Sequence, residues 1–360
     1  MEAIQLSFDK LFDDKENDLV SVNILPVKSV LKVVSLFSGC GGMDLGFCGD
    51  FSFLNKSYGK NPFEIVFAND ILSKACYTYN YNFNHSSHCE DIKSLDYSLL
   101  PKADIVIGGF PCQDFSLAGK RNGLNAERGR LYLEMKKVIE HCKPVAFIAE
   151  NVDGIRRNSN NEKLSALDVI IKDFEKIGYN VTYKALNAAD YGVPQNRVRI
   201  IISGIRKDLN KNMKYPQPTH GPDHDLPYVT AKDAIDDLWD KIDITTVANH
   251  TAKDYSKAKF YKGKSMQGNC RIKPDKPSPT IRSEHHGNIE GHYRTSNPKD
   301  PENIAFWRRL SVRECARLQS FPDEFVFPVS SSDAYKQIGN AVPPVLAWHI
   351  ARALYISLNT

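Results

Sequence analysis

The chain has no apolar run long enough to cross a bilayer, no Cys-x-x-Cys pair and no internal repeat, and its charge is nearly balanced. With about 20 consecutive apolar residues needed for a spanning helix, no membrane partner is expected. Residues 1–29 lack the apolar stretch of a signal peptide, because Asp9, Asp13, Asp14, Glu16 and Asp18 punctuate them. They read as an acidic, disordered leader, and a cytoplasmic location is the expectation. The eight cysteines are scattered, so neither a zinc site nor a disulfide framework is indicated and most thiols should be reduced and inert. A net charge of +4 says little about partners by itself.

What is present is the material of a globular α/β protein. With 42% hydrophobic and 25% charged residues in 360, the chain can bury one large core or two modest ones. Short apolar runs at 31–37, 63–68, 104–107 and 145–149 read as strands, and 179–186 and 197–205 alternate well enough to join them. Leu131, Met135, Val138, Ile139 and Cys142 repeat at helical spacing until Pro144, and Leu164, Leu167, Ile171, Phe174 and Ile177 do so until Gly178. Strand–helix alternation predicts a doubly wound, mostly parallel sheet with helices on both faces.

Regularity fades over 210–301, which holds nine of the nineteen prolines. It returns beyond 302, with a short helix through Val312, Cys315, Ala316 and Gln319 and a last helix over about 345–358. The predicted organisation is a leader at 1–29, a first domain at 30–209, a smaller loop-rich domain at 210–301, and a return to the first domain at 302–360. Within the loop-rich part, residues 251–283 carry nine Lys or Arg against Asp254 and Asp275, with Tyr255, Phe260 and Tyr261 interleaved. That distribution suits a polyanion.

Three strand ends carry chemistry. The first strand runs into Ser38-Gly39-Cys40-Gly41-Gly42-Met43-Asp44, a turn whose backbone amides can meet a ligand closely, although Asp44 stands where the dinucleotide fingerprint wants a third glycine. Asp70, ending the second strand, can accept both hydroxyls of a ribose, so the pair suggests a nucleoside-bearing cofactor without a pyrophosphate. The run at 104–107 gives out through Gly108-Gly109 onto Phe110-Pro111-Cys112-Gln113. Crevices beyond strand ends are where open α/β sheets bind ligands, which makes Cys112 a candidate nucleophile, its direction restricted by Pro111.

In order along the chain stand Phe37-Ser38-Gly39-Cys40-Gly41-Gly42, Gly109-Phe110-Pro111-Cys112-Gln113, Glu150-Asn151-Val152, Gln195-Asn196-Arg197-Val198-Arg199, Arg313-Glu314-Cys315-Ala316-Arg317-Leu318-Gln319-Ser320-Phe321-Pro322 and Gln337-Ile338-Gly339-Asn340-Ala341-Val342. Together they resemble the signature of the DNA cytosine-5 methyltransferases, bacterial modification-enzyme type, over residues 33–355 with 210–301 unmatched. The resemblance implies the methyltransferase fold, S-adenosylmethionine as cofactor, and methyl transfer to carbon 5 of a cytosine extruded from double-stranded DNA. Arg197 and Arg199, two apart on the strand predicted over 197–205, should point to one face. By the resemblance, Cys112 would add to carbon 6, Glu150 would act at nitrogen 3, Arg199 would hold the carbonyl oxygen and Arg197 would support the site. Phe37, Gly39, Gly41, Asp70, Ile71, Asp91, Ile92, Asn340 and Val342 would hold the cofactor. A mobile loop over 116–128, with Ser116, Lys120 and Arg121, would close on DNA. Recognition would lie in 210–301, with Thr280, Ile281, Arg282, His285, His286 and Asn288 near the bases and the lysines on phosphates. A monomer is expected, with a restriction endonuclease acting on the same sequence as its companion. The competing readings are an RNA cytosine methyltransferase, disfavoured by Pro111-Cys112-Gln113 and the sizeable variable segment, and a silent DNA-binding protein.

Overall fold

The computed structural model describes residues 30–111, 131–157, 164–239, 241–244, 246–256, 270–283 and 291–360. The first lobe contains β1 (Leu31–Leu36), α1 (Gly42–Cys48), the hairpin β2 (Phe51–Phe53) and β3 (Lys56–Tyr58), β4 (Phe63–Asp70), α2 (Ser73–Asn82), β5 (Ser87–Cys89) and β6 (Ile105–Gly108). It continues with α3 (Leu131–Cys142), β7 (Ala146–Val152), α4 (Ala166–Lys176), β8 (Tyr179–Asn187) and β9 (Val198–Arg206). The seven strands of its sheet run in the order β5-β4-β1-β6-β7-β9-β8. β1 pairs in parallel with β4 and β6, β6 with β7 and β4 with β5, while β9 runs antiparallel between β7 and β8. The mostly parallel, doubly wound sheet read from the sequence is the architecture observed.

Alternation along each strand fills two cores. Val33, Ile65, Ile105, Ile107, Ile148 and Ile201 face α1 and the last helix, whereas Val34, Val106, Phe147, Ala149, Ile200 and Ile202 face α3 and α4. The helices end for local reasons: a Ser165–Asp168 capping box opens α4, and Gly178 follows it at φ 100°, a left-handed turn that glycine adopts freely.

The second lobe holds α5 (Ala231–Ile235), the strands β10 (Cys270–Arg271), β11 (His292–Thr295) and β12 (Trp307–Arg309), α6 (Val312–Leu318) and α7 (Ser331–Asn340). Its apolar core joins Ala231, Ala234, Ile235, Ile272 and Ile281 to Leu310, Phe321, Tyr335 and Ile338. That core runs past the boundary expected at 301/302, and β11 pairs with β12 across it. Val342 and α8 (Pro344–Asn359) rejoin the first core, where α8 is apolar nearly all round because it is buried nearly all round. It docks on α1 at Gly46, where a Cβ would stand 2.4 Å from that of Ala347.

Beneath the Gly-rich turn lies a buried polar chain. The Ser35 hydroxyl donates to Asp44 Oδ1 at 2.7 Å, the Tyr79 hydroxyl to Oδ2 at 2.6 Å, and Tyr79 meets His85 Nε2 at 2.7 Å. Burial pushes the Asp44 carboxyl up to about 6, against the pull of its two donors. A raised carboxyl binds more protons folded than unfolded, so Asp44 lowers stability as pH rises from about 4 through about 6. Between pH 7 and pH 5 this one group should return about 1 kcal/mol of stability. Urea unfolding of wild type and Asp44→Asn at both pH values checks it: wild type should gain about that much more than the variant on acidification. Equal gains would remove Asp44 as the cause.

Candidate active site

The site gathers at the carboxyl ends of β1, β4, β6 and β7, where the chain order reverses on either side of β1, the position at which open α/β sheets bind ligands. β1 exits through Phe37 at φ 52°, Gly39 at 57° and Gly41 at 95°. A bulky residue in the left-handed region is uncommon and marks a turn held by its surroundings. Those surroundings are visible: Ser38 N donates to Asn69 O at 2.9 Å, and Gly39 N to Asp70 Oδ2 at 2.9 Å.

Asp70 thus pins the turn to the end of β4, and its Oδ1 takes the amide of Leu72 at 2.8 Å. Burial raises its carboxyl, and the amides of Leu72, Gly39 and Ile71 pull it back. Ile71 beside it is 60% exposed, an apolar side chain offered to whatever lies over the strand ends. A Cβ on Gly39 would meet nothing within 4 Å, so the turn faces open space there, while at Gly42 it would stand 2.5 Å from the Val342 carbonyl. The Asn340–Val342 segment therefore lies directly against the turn. Asn69 Nδ2 reaches the carbonyls of His88 and Glu90 at 3.0 Å each, which fixes the chain leading to Asp91. Asp91 caps a short turn by accepting from Lys93 N at 3.0 Å, and the Ile92 side chain is buried in the core, so only its backbone is left to face a ligand. An open glycine turn, an acid held by amides at the second strand and exposed apolar surface beside it fit a nucleoside-bearing group.

Glu150 lies inside β7 rather than beyond its end. Its Oε1 pairs with Arg199 Nε at 2.8 Å, the two side chains being 11% and 12% exposed. Its Oε2 leans toward β6, since a Cβ on Gly109 would be 3.0 Å from it. Asn151 Nδ2 donates to the Phe110 carbonyl at 3.1 Å, so β7 also anchors the strand exit that leads to Pro111. Cys112 lies outside the described residues, as do Ser116, Lys120, Arg121, His285, His286, Asn288 and the lysines at 257, 259, 262 and 264. The thiols of Cys40 and Cys48 are pushed up to about 12 by burial, as inert thiols should be.

Two expectations need correction. Arg197 does not share an open face with Arg199, because it precedes β9, where strand alternation does not hold. Its buried guanidinium donates to the carbonyls of Ile281 at 2.8 Å, Gly339 at 2.7 Å and Ala341 at 2.9 Å. It is not free to reach a base. Ile281 is fully buried in the second core, so its side chain cannot read DNA. Thr280 is half-buried, and its hydroxyl is engaged in donating to the Asn196 carbonyl at 2.6 Å. Arg282 is exposed, and its charge lies close enough to Arg197 and Arg199 to lower both guanidinium groups, after the larger effect of burial. Gln195 and Gln319, which the sequence reading left without roles, sit fully buried between the same segments. Their only signal was membership in the ordered motifs.

Comparison with known proteins fits this geometry. A family model for C-5 cytosine-specific DNA methylase matches residues 31–355. The chain is 37% identical over 361 residues to the Type II methyltransferase M.BsuRI of Bacillus subtilis, covering 89% of this chain and 78% of that one. It is 36% identical to M.FnuDI of Fusobacterium nucleatum, covering 91% and 95%. Among solved structures, a DNA modification methyltransferase encoded within an E. coli prophage aligns with a TM-score of 0.65 at 25% identity, over 92% of this chain and all of that one. The Dnmt2 methyltransferase of S. pombe shares the fold with the same score at 20% identity, over 92% and 100%. A sheet of this order, a glycine turn facing an acid, and a carboxylate–guanidinium pair beside the Phe110-Pro111 exit accompany a family match over nearly the whole chain, and the chain belongs to the C-5 cytosine-specific DNA methylases, the DNA (cytosine-5-)-methyltransferases.

Proposed function

We propose that the chain transfers a methyl group from S-adenosylmethionine to carbon 5 of a flipped-out cytosine in a short duplex DNA sequence, through a covalent Cys112 adduct, as the modification half of a restriction-modification system. The observation that carries the reading is the Glu150–Arg199 pair, whose Oε2 leans toward Gly109 at the strand exit leading to Cys112. Phe37, Gly39, Gly41, Asp70, Ile71, Asp91, Ile92, Asn340 and Val342 would hold the cofactor. When bound, that cofactor supplies an electrophilic methyl group.

Carbon 5 of cytosine is a poor nucleophile. Addition of the Cys112 sulfur at carbon 6, with loss of the thiol proton, turns the ring into an enamine that is a good one. Electron density then builds on nitrogen 3 and the ring carbonyl. Glu150 Oε2 would serve nitrogen 3 and Arg199 the carbonyl oxygen, each acting where charge develops. After methylation, removal of the carbon 5 proton expels the sulfur and restores the aromatic ring. The base must leave the stack first, at a cost of a few kcal/mol that contacts from the 116–128 loop and the second lobe would offset. Arg282, exposed beside the arginine pair, and the basic residues of 251–283 supply the charge that a DNA backbone needs.

The test is transfer of labelled methyl groups from S-adenosylmethionine to duplex DNA and, separately, to transfer RNA, followed by mapping of the modified base. Label is expected in duplex DNA alone, as 5-methylcytosine within one short sequence. Label confined to transfer RNA, or found on an exocyclic amine, would overturn the proposal.

A further inference from the structure

Two separate hydrogen-bonded routes join Ile281 to the segment 339–341. In one, Arg197 spans the gap alone, from the Ile281 carbonyl at 2.8 Å to those of Gly339 and Ala341 at 2.7 and 2.9 Å. In the other, Ile281 N donates to Gln195 Oε1 at 3.0 Å, Gln195 Nε2 donates to Gln319 Oε1 at 2.5 Å, and Gln319 Nε2 donates to the Ala341 carbonyl at 2.6 Å. Gln195 also donates to the Leu318 carbonyl at 3.1 Å. The two segments touch without slack: a Cβ on Gly339 would lie 2.2 Å from the carbonyl carbon of Arg282.

The placement of the ends gives the routes their meaning. Ile281 immediately precedes Arg282, the exposed cation on the DNA side, and Ala341 stands between Asn340 and Val342, whose carbonyl abuts the glycine turn. Arg197 forms no ion pair with an acid among the described residues; the guanidinium groups of Arg199 and Arg282 oppose its charge, and Glu150 favours it from beyond contact distance. Three carbonyls from two segments hold it instead. A buried guanidinium whose hydrogen bonds all go to carbonyls from both sides keeps those bonds only while the sides hold their relative position. A shift of 280–282 therefore has to be followed by 339–342 or break charge-assisted bonds in a dry interior.

We propose that Arg197, together with the Gln195–Gln319 relay, couples the DNA site to the cofactor site, acting as a positioning group rather than a catalytic one. The proposal rests on the placement of the two sites given under the proposed function. Coupling of this kind is reciprocal: whatever factor DNA adds to cofactor affinity, cofactor adds to DNA affinity. A residue that only stabilised the fold would weaken both ligands or neither, and would leave that factor unchanged.

The experiment measures binding of S-adenosylhomocysteine, an unreactive probe of the cofactor site, to the full chain with and without a duplex carrying the mapped target sequence. Wild type should bind the probe about 5- to 150-fold more tightly with the duplex, the usual range for coupled sites. Arg197→Lys keeps the charge but cannot reach both segments, and Gln319→Met cuts the relay while keeping its bulk. Each should keep both separate affinities within about threefold of wild type while the tightening falls at least about fivefold, with the double variant near no coupling. Should Arg197→Lys fail to fold, Gln319→Met alone carries the comparison. Undiminished tightening in the variants, or none in wild type, overturns the inference. Failure of wild type to bind either ligand would instead overturn the functional reading beneath it.

Discussion

Cys112→Ala is expected to bind S-adenosylmethionine and duplex DNA and to transfer no measurable methyl groups. The strand that delivers this residue, β6, is buried at every position from Ile105 to Gly108, and its exit is anchored by Asn151 on the Phe110 carbonyl. Neither support involves the thiol, so its loss should leave the fold and both binding sites in place. The chemistry, in contrast, has no other route to an enamine, and the fall in turnover should be about 10⁴-fold or more, the scale on which removing a covalent nucleophile acts. A second measurement reads the same step from the other side. A duplex carrying 5-fluorocytosine at the target has no carbon 5 proton to lose, so wild type should remain covalently attached through Cys112 and the alanine variant should not. Turnover by Cys112→Ala within about a hundredfold of wild type would sink the assignment.

Much of the catalytic lobe can be read from the sequence because its strands are buried on both faces. Short apolar runs such as Ile105–Gly108 then have one explanation, and the Gly-rich turn after β1 and the acid at the end of β4 follow from their position relative to such runs. What is not legible is polar or distant. α2 escapes notice because its sequence, Ser73–Asn82, has little apolar periodicity and buries Thr78 and Tyr79 rather than leucines. α7 hides Ala334, Tyr335 and Ile338 among polar residues. The second lobe reads as ending near 301 because regular periodicity returns beyond it, yet its core is completed by Leu310, Phe321 and Ile338, which no local pattern connects to Ile235 or Ile281. Arg197 is the sharpest case. Spacing of two suggests a face shared with Arg199, but its partners lie 84 and 142 positions away in sequence, and those contacts, not the spacing, set its direction.

Glu150→Gln is expected to lower kcat by about 10²- to 10⁴-fold, the usual worth of a positioned acid or base, while leaving cofactor affinity without DNA unchanged. Glutamine keeps the length and one oxygen of the side chain, so the contact with Arg199 Nε at 2.8 Å can persist and the lean toward Gly109 is preserved. What it loses is the negative charge and the ability to take or give a proton at nitrogen 3. The same change leaves the Arg199 guanidinium, 12% exposed, without its counter-charge. Breaking a buried pair from one side can destabilise by about 3 to 5 kcal/mol, so the rate must be measured well below the variant's unfolding midpoint. Arg199→Met in the Glu150→Gln background removes the stranded cation and should regain stability, which attributes the destabilisation to the broken pair; its rate carries no information on Glu150, because Arg199 serves the carbonyl oxygen. If kcat of the folded single variant stays within about threefold of wild type, Glu150 is only an ion-pair partner for Arg199, and the group that serves nitrogen 3 must be sought elsewhere around the exit of β6.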